Sequence, residues 1–186
     1  GNNWAQMAYI KACDNRDGGD RFGYSVSLDN GSLAVGAIEE DSNQTTITNG
    51  TTASSNDSNS DSGAIYVYKR SGTSWAQEAY IKAANSDTGD VGNGSLSLDG
   101  DTLAVGAPIE DSNQTTITNG TSASSDNSNS GSGAVYVYKR SGTTWAQEAY
   151  IKAINNDTGG DLFGISVSLD GDTLAVGAQS EDSNQT

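Results

Sequence analysis

The chain has 186 residues, a formal charge of −15, no histidine, one cysteine and one proline, so chemistry built on imidazole or on thiolate pairs has little to work with. A surface this acidic repels nucleic acid and anionic membrane alike, which leaves cations and basic surfaces as the favoured partners. No segment approaches the roughly 18 apolar residues of a membrane span, and the opening residues lack the charged and apolar regions of a signal peptide, so the expectation is a mature, soluble chain.

Apolar residues make up 33% of the sequence and are gathered into short runs that recur. The run WAQMAYIKA from Trp4 returns as WAQEAYIKA from Trp75 and Trp145, and SLAVGA at 32 returns as TLAVGA at 102 and 173. The period is about 70 residues. In chain order, residues 1–12 read as the last strand of a preceding unit, followed by the acidic stretch DNRDGGD at 14–20. Residues 22–82 then hold four strands, SVSLD, SLAVGA, GAIYVYKR and WAQEAYIKA, with a polar loop at 40–62. Residues 92–152 repeat that order with a loop at 110–132, and 163–186 supply the first half of another copy. Short Asn-Gly and Gly-Asp turns join the first two strands, and Arg-Ser-Gly-Thr joins the last two, which predicts antiparallel hairpins. Tyr66, Val67 and Tyr68 place apolar groups on both faces of a strand, so both faces of the sheet must be covered. Without the polar segment about 49 residues remain per copy, the size of a four-stranded propeller blade. The fold class predicted is all-β: an incomplete ring of four-stranded antiparallel blades.

FGYSVSLDNGSLAVGA, GNGSLSLDGDTLAVGAP and FGISVSLDGDTLAVGA resemble the FG-GAP repeats of integrin alpha-chain propellers and related bacterial surface proteins. Phe22-Gly23 and Phe163-Gly164 match the first half of that motif and Gly106-Ala107-Pro108 the second. The middle copy departs from it with Gly92-Asn93, and Ile38 and Gln179 replace the proline. The resemblance implies an extracellular or cell-surface location and a role in adhesion. It also implies calcium in a loop between the first two strands, but here that connection is a tight turn, too short to wrap six to eight oxygens.

A different set of residues offers hard oxygen ligands. Asp14, Asp17 and Asp20, then Asn85, Asp87 and Asp90, then Asn155, Asp157 and Asp161 precede each first strand and are the candidate Ca2+ ligands, with solvated Asx turns as the alternative. In an antiparallel meander the loop after strand 2 and the loop before strand 1 leave the same end of the sheet. Glu40, Asp41, Glu110, Asp111, Glu181 and Asp182 are therefore expected on one acidic face with those ligands, gathered by a cation or basic partner or else splayed into solvent. Lys69, Arg70, Lys139 and Arg140 mark a basic opposite end.

The polar loops have the composition of a disordered linker, and their near-identity reflects either function or recent duplication. Asn43, Asn49, Asn113 and Asn119 lie in glycosylation triplets. Cys13, which stands where Ala84 and Ile154 stand in the other copies, reads as a buried small hydrophobe. The tryptophans and Tyr9, Tyr80 and Tyr150 are expected between blades, with carbohydrate stacking as the alternative. No nucleophile motif or apolar pocket is legible, and the expectation is a non-enzymatic repeat protein. It would bind further copies of itself or a cell-surface protein or glycan, in an adhesive propeller or a structural fibre.

Overall fold

The computed structural model describes residues 3–13, 19–87, 94–157 and 160–182. Every element among them is a strand and every ladder is antiparallel. The first sheet contains β1 (Phe22–Asp29), β2 (Ser32–Ala37), β3 (Thr48–Asn49), β4 (Ala64–Ser71) and β5 (Ser74–Ile81), in the order β1-β2-β4-β5-β3. β6 (Leu96–Asp99), β7 (Thr102–Ala107), β8 (Ile117–Asn119), β9 (Ala134–Ser141) and β10 (Thr144–Ile151) repeat that order, while β11 (Phe163–Asp170) and β12 (Thr173–Ala178) form a half-blade.

Two expectations need correction. Each complete blade has five strands, because the polar loop lays β3 or β8 along the outer edge, pairing Thr48 with Tyr80 and Thr118 with Tyr150. Residues 3–12 make no strand, because no ladder partner lies beside them among the described residues; they lie on blade 1, where the Tyr68 hydroxyl donates to the Lys11 carbonyl at 3.2 Å. The Asn30 and Gly31 turn has φ values of 42° and 71°, the backbone of a tight hairpin whose twist matches its strands. A bulge near the middle of β5, repeated in β10, leaves Glu78 and Glu148 without a cross-strand partner and bends the strand.

The two sheets stack face to face. Ala34, Ile65, Val67 and Ile81 of blade 1 share one core with Leu103, Val105, Tyr136, Tyr138 and Trp145 of blade 2. The opposite face of blade 1, with Val35, Tyr66, Tyr68 and Tyr80, is covered by Ile10, Ala12 and Phe22. Inner strands are stapled at one-repeat intervals: the Ser27 hydroxyl accepts the Leu98 N–H (2.9 Å) and Asp29 accepts the Gly100 N–H (2.8 Å). Ser97 and Asp99 do the same for Leu169 and Gly171.

Blade 2 and the half-blade meet backbone on backbone. Leu162 takes a φ of 57° and Gly164 one of 94°, turning Phe163 into a parallel bridge with Gly133. A Cβ on Gly106 would fall inside the Gly164 carbonyl, and one on Gly133 inside the Phe163 backbone. The glycines at these positions are there so that two chains can touch.

The tryptophans have diverging fates. Trp145 is 1% exposed, Trp75 half-buried and Trp4 98% exposed. Trp145→Ala is therefore expected to cost about 3–5 kcal/mol in urea unfolding, and Trp4→Ala to stay within about 0.5 kcal/mol of the parent. Cys13 is exposed, contrary to expectation, because the last core position is Ala12 and the next residue steps off the packed face.

Candidate functional site

The loops before strand 1 and after strand 2 meet at one end of the stack, as the meander requires. The Glu39 N–H donates to the Asp20 carbonyl at 3.3 Å, and the Ser180 N–H to the Asp161 carbonyl at 3.2 Å. The acidic residues gathered there divide into buried, capping and clustered groups.

Glu40 and Glu110 point inward and are not displayed on an acidic face. Each is at most 3% exposed and sits in a closed network. Glu110 accepts from Lys152 Nζ at 2.6 Å, from the Tyr150 hydroxyl at 2.7 Å and from the Ser112 N–H at 3.1 Å. Lys152 donates in turn to the Ser132 hydroxyl at 2.7 Å. Glu40, Lys82, Tyr80, Ser42 and Ser62 repeat the arrangement. Burial holds Lys82 below the ordinary lysine range, against the opposing pull of the Glu40 charge and hydrogen bond. Lys82 and Lys152 belong to no recognised motif, but their phase is readable in the sequence: each follows a core tyrosine by two residues, on the same face of the strand.

Asp41 and Asp111 cap the far ends of their loops, accepting the N–H of Asp61 at 2.8 Å and of Gly131 at 2.7 Å. Gln44 reaches Thr46 and Thr48, and Gln77 reaches the carbonyls of Gly50 and Thr52; Gln114 and Gln147 repeat these bonds in blade 2. Loops with a linker's composition are thus ordered by a set of polar bonds that recurs in both copies.

Among the candidate cation ligands, Asp14, Asp17 and Asp90 lie outside the described residues. Asp20 contributes its carbonyl to the chain path noted above. Asn85 is engaged with Glu110 (3.0 Å), the Ser124 carbonyl (2.7 Å) and the Tyr136 hydroxyl (2.5 Å), and Asp87 accepts from Asn127 at 2.8 Å. Asn155 donates to Glu181 at 2.5 Å. The third repeat brings acidic groups together: carboxylate oxygens of Asp157, Asp161 and Asp182 lie within 4.8 Å of one another. Asp161 is 1% exposed, and neither of its carboxylate oxygens has a hydrogen-bond partner among the described residues. Burial is the main force pushing its carboxyl above the usual range, and the nearby Asp157, Glu181 and Asp182 add like charge.

A second constellation joins the blades at mid-height. The Asn49 side chain pairs with the Trp145 backbone in both directions, Oδ1 accepting the N–H at 2.7 Å and Nδ2 donating to the carbonyl at 3.2 Å. Glu78, freed by its bulge, accepts from Trp145 Nε1 at 3.0 Å and from Arg140 at 3.2 Å. Arg140 lies 5.6 Å from the Trp145 ring centre and also bonds Asp101, whose carboxyl the Arg140 hydrogen bond holds below the ordinary range. All four glycosylation candidates, Asn43, Asn49, Asn113 and Asn119, are exposed, but the Asn49 amide is committed to this contact.

The FG-GAP repeat family model matches residues 4–53 and 145–186. The chain is an FG-GAP repeat protein. In FG-GAP terms, the Phe163-Gly164 step of one repeat is the segment that rests on Gly106 of the preceding repeat's Gly-Ala-Pro, so the two halves of the motif are partners across a blade junction. No curated protein matches the chain. No helix among the described residues of this FG-GAP chain is long and apolar enough to cross a membrane.

Proposed function

We propose that this chain is a non-catalytic repeat module of a cell surface or extracellular assembly, acting in adhesion or as a structural component. The observation that supports this most directly is how blades cohere. They meet through glycine backbones, stapled inner strands and the Trp145 clamp, all supplied by the repeat itself, and the buried glutamate and lysine of each complete blade are paired with each other. Such a construction extends by adding copies and presents broad polar loops. Antibody raised against the chain is expected to label intact expressing cells. Labelling that appears only after permeabilisation would overturn the surface assignment.

A second reading, a calcium-dependent binding module, is favoured by the Asp157, Asp161 and Asp182 cluster. Three carboxylates suit a hard cation, with backbone carbonyls and water completing six to eight oxygens, and a buried carboxylate without a hydrogen-bond partner gains from a cation. Calcium at 100 times its Kd is expected to stabilise the fold by about 2.7 kcal/mol, read as a rise in Tm that chelation reverses. Asp161→Asn should abolish that rise. In chelator the same substitution should raise Tm above the parent, because it removes a charge that burial disfavours. An unchanged Tm on adding calcium to the parent would remove metal from the account.

A further inference from the structure

The buried ion pair of blade 2 has a neighbour that charge balance does not require. Asn85 lies in the segment between the two blades, and its Nδ2 donates to Glu110 Oε1 at 3.0 Å and to the Ser124 carbonyl at 2.7 Å. The other oxygen, Glu110 Oε2, accepts from Lys152 Nζ at 2.6 Å. One carboxylate thus holds an amine and a carboxamide side by side. The orientation of the amide is fixed by its partners: a carboxylate and a carbonyl only accept, so the NH2 group faces them and Oδ1 faces the Tyr136 hydroxyl, 2.5 Å away. The contact between asparagine and glutamate recurs in the third repeat, where Asn155 donates to Glu181 at 2.5 Å.

These are the parts of an acyl transfer. Lys152 supplies a nucleophilic amine, Asn85 an acyl carbon whose oxygen is already hydrogen-bonded, and Glu110 an acid-base group that touches both nitrogens. Lys152, Glu110, Tyr136 and Tyr150 are all buried, which keeps water from competing for the acyl carbon. Because the fold itself holds both reactants on one carboxylate, no bimolecular encounter is needed.

We propose that Lys152 Nζ and Asn85 Cγ become joined by an intramolecular amide bond, with Glu110 carrying the protons and Tyr136 holding the oxyanion. Lys152 passes a proton to Glu110, and the freed lone pair of Nζ bonds to Asn85 Cγ while the carbonyl electrons move onto Oδ1. Glu110 gives its proton to Nδ2, the bond from Cγ to Nδ2 breaks, and ammonia leaves. Glu110 then takes the surplus proton from Nζ and yields it to the ammonia. The products are a secondary amide and ammonium, formed without oxidant, reductant or any further reactant. The step happens once in each chain and turns over no substrate. It closes residues 85–152, which contain every strand of blade 2, into a covalent loop, so a pull along the chain passes through the bond and not through the blade. Lys82 and Glu40 repeat the ion pair, but the residue in the place of Asn85 there is Asp14, outside the described residues, and no bond is assigned to Lys82.

The mass of the intact, folded full-length chain tests this. The parent is expected to be lighter than its sequence by one ammonia, about 17 Da, and digestion should release a branched peptide joining Asn85 to Lys152. Asn85 is only half-buried, so Asn85→Ala should fold and carry its full sequence mass. Glu110→Gln, which keeps the side chain's shape without its basic oxygens, should also stay at full mass, with circular dichroism reporting whether it folds. Mass reads the bond separately from the stability that the ion pair provides. A folded parent at full sequence mass overturns the proposal. So does a loss of ammonia that persists in Asn85→Ala or maps to an Asn-Gly step, where succinimide formation releases the same mass. A folded Glu110→Gln chain that cross-links as fully as the parent overturns the role given to Glu110.

Discussion

Glu110→Ala is expected to lower the free energy of unfolding by about 3–5 kcal/mol, the cost of leaving a buried lysine without its partner. Lys152 is 3% exposed, and removing the Glu110 carboxylate takes away the anion its ammonium is paired with. The Tyr150 hydroxyl and the Ser112 N–H lose their acceptor in the same step. Against a total stability of about 5–15 kcal/mol for a typical domain, this change alone brings the fold close to its limit. Urea titration measures the effect as a fall in midpoint at unchanged slope. The paired substitution Glu110→Leu with Lys152→Met should recover most of the loss, because an apolar pair of similar volume carries no desolvation penalty. If the single variant unfolds at the parent midpoint, the ion pair holds nothing that solvent does not replace.

Gly133→Ala is the second large effect, with about 3 kcal/mol or more expected. Two costs combine. A φ of 82° places an L side chain in the left-handed region, about 1–2 kcal/mol, and the new Cβ runs into the Phe163 backbone, adding about 1–3 kcal/mol because backbone cannot move aside as a side-chain tip can. Gly142→Ala separates the two, since Gly142 has a φ of 64° and open space where the Cβ would stand. It should cost only the conformational share. Equal losses at the two positions would show that the blade junction is not set by this contact.

Much of the fold is legible in local chemistry. The alternation of apolar groups and the Asn-Gly and Gly-Asp turns locate β1, β2, β4 and β5 and their copies, because a strand's two-residue period and a tight turn's positive φ are properties of a few consecutive residues. The short edge strands β3 and β8 are not legible in this way. Thr48 and Asn49 carry no apolar signal, and what makes them a strand is a free edge on β5 in a neighbouring part of the chain. The acidic site was legible in position but not in role. Topology placed Glu40, Glu110 and Asp161 at the right end of the blade, while the orientation of the two glutamates depended on where Lys82 and Lys152 arrive, 42 residues further along. Reading a charge as surface-exposed is sound when its partner is unknown, since burying it alone is costly.

What the sequence determined by itself is the repeat, its strands, its hairpins and the need to cover both faces of every sheet. Each follows from short-range periodicity and from composition. The tertiary structure alone decided which carboxylates are buried, which tryptophan is a clamp and which is exposed, and which glycines let two backbones touch. Trp4, Trp75 and Trp145 show why: nearly the same local sequence surrounds all three, and only the presence of a neighbouring blade, with its Asn49 and Glu78, makes Trp145 a core residue.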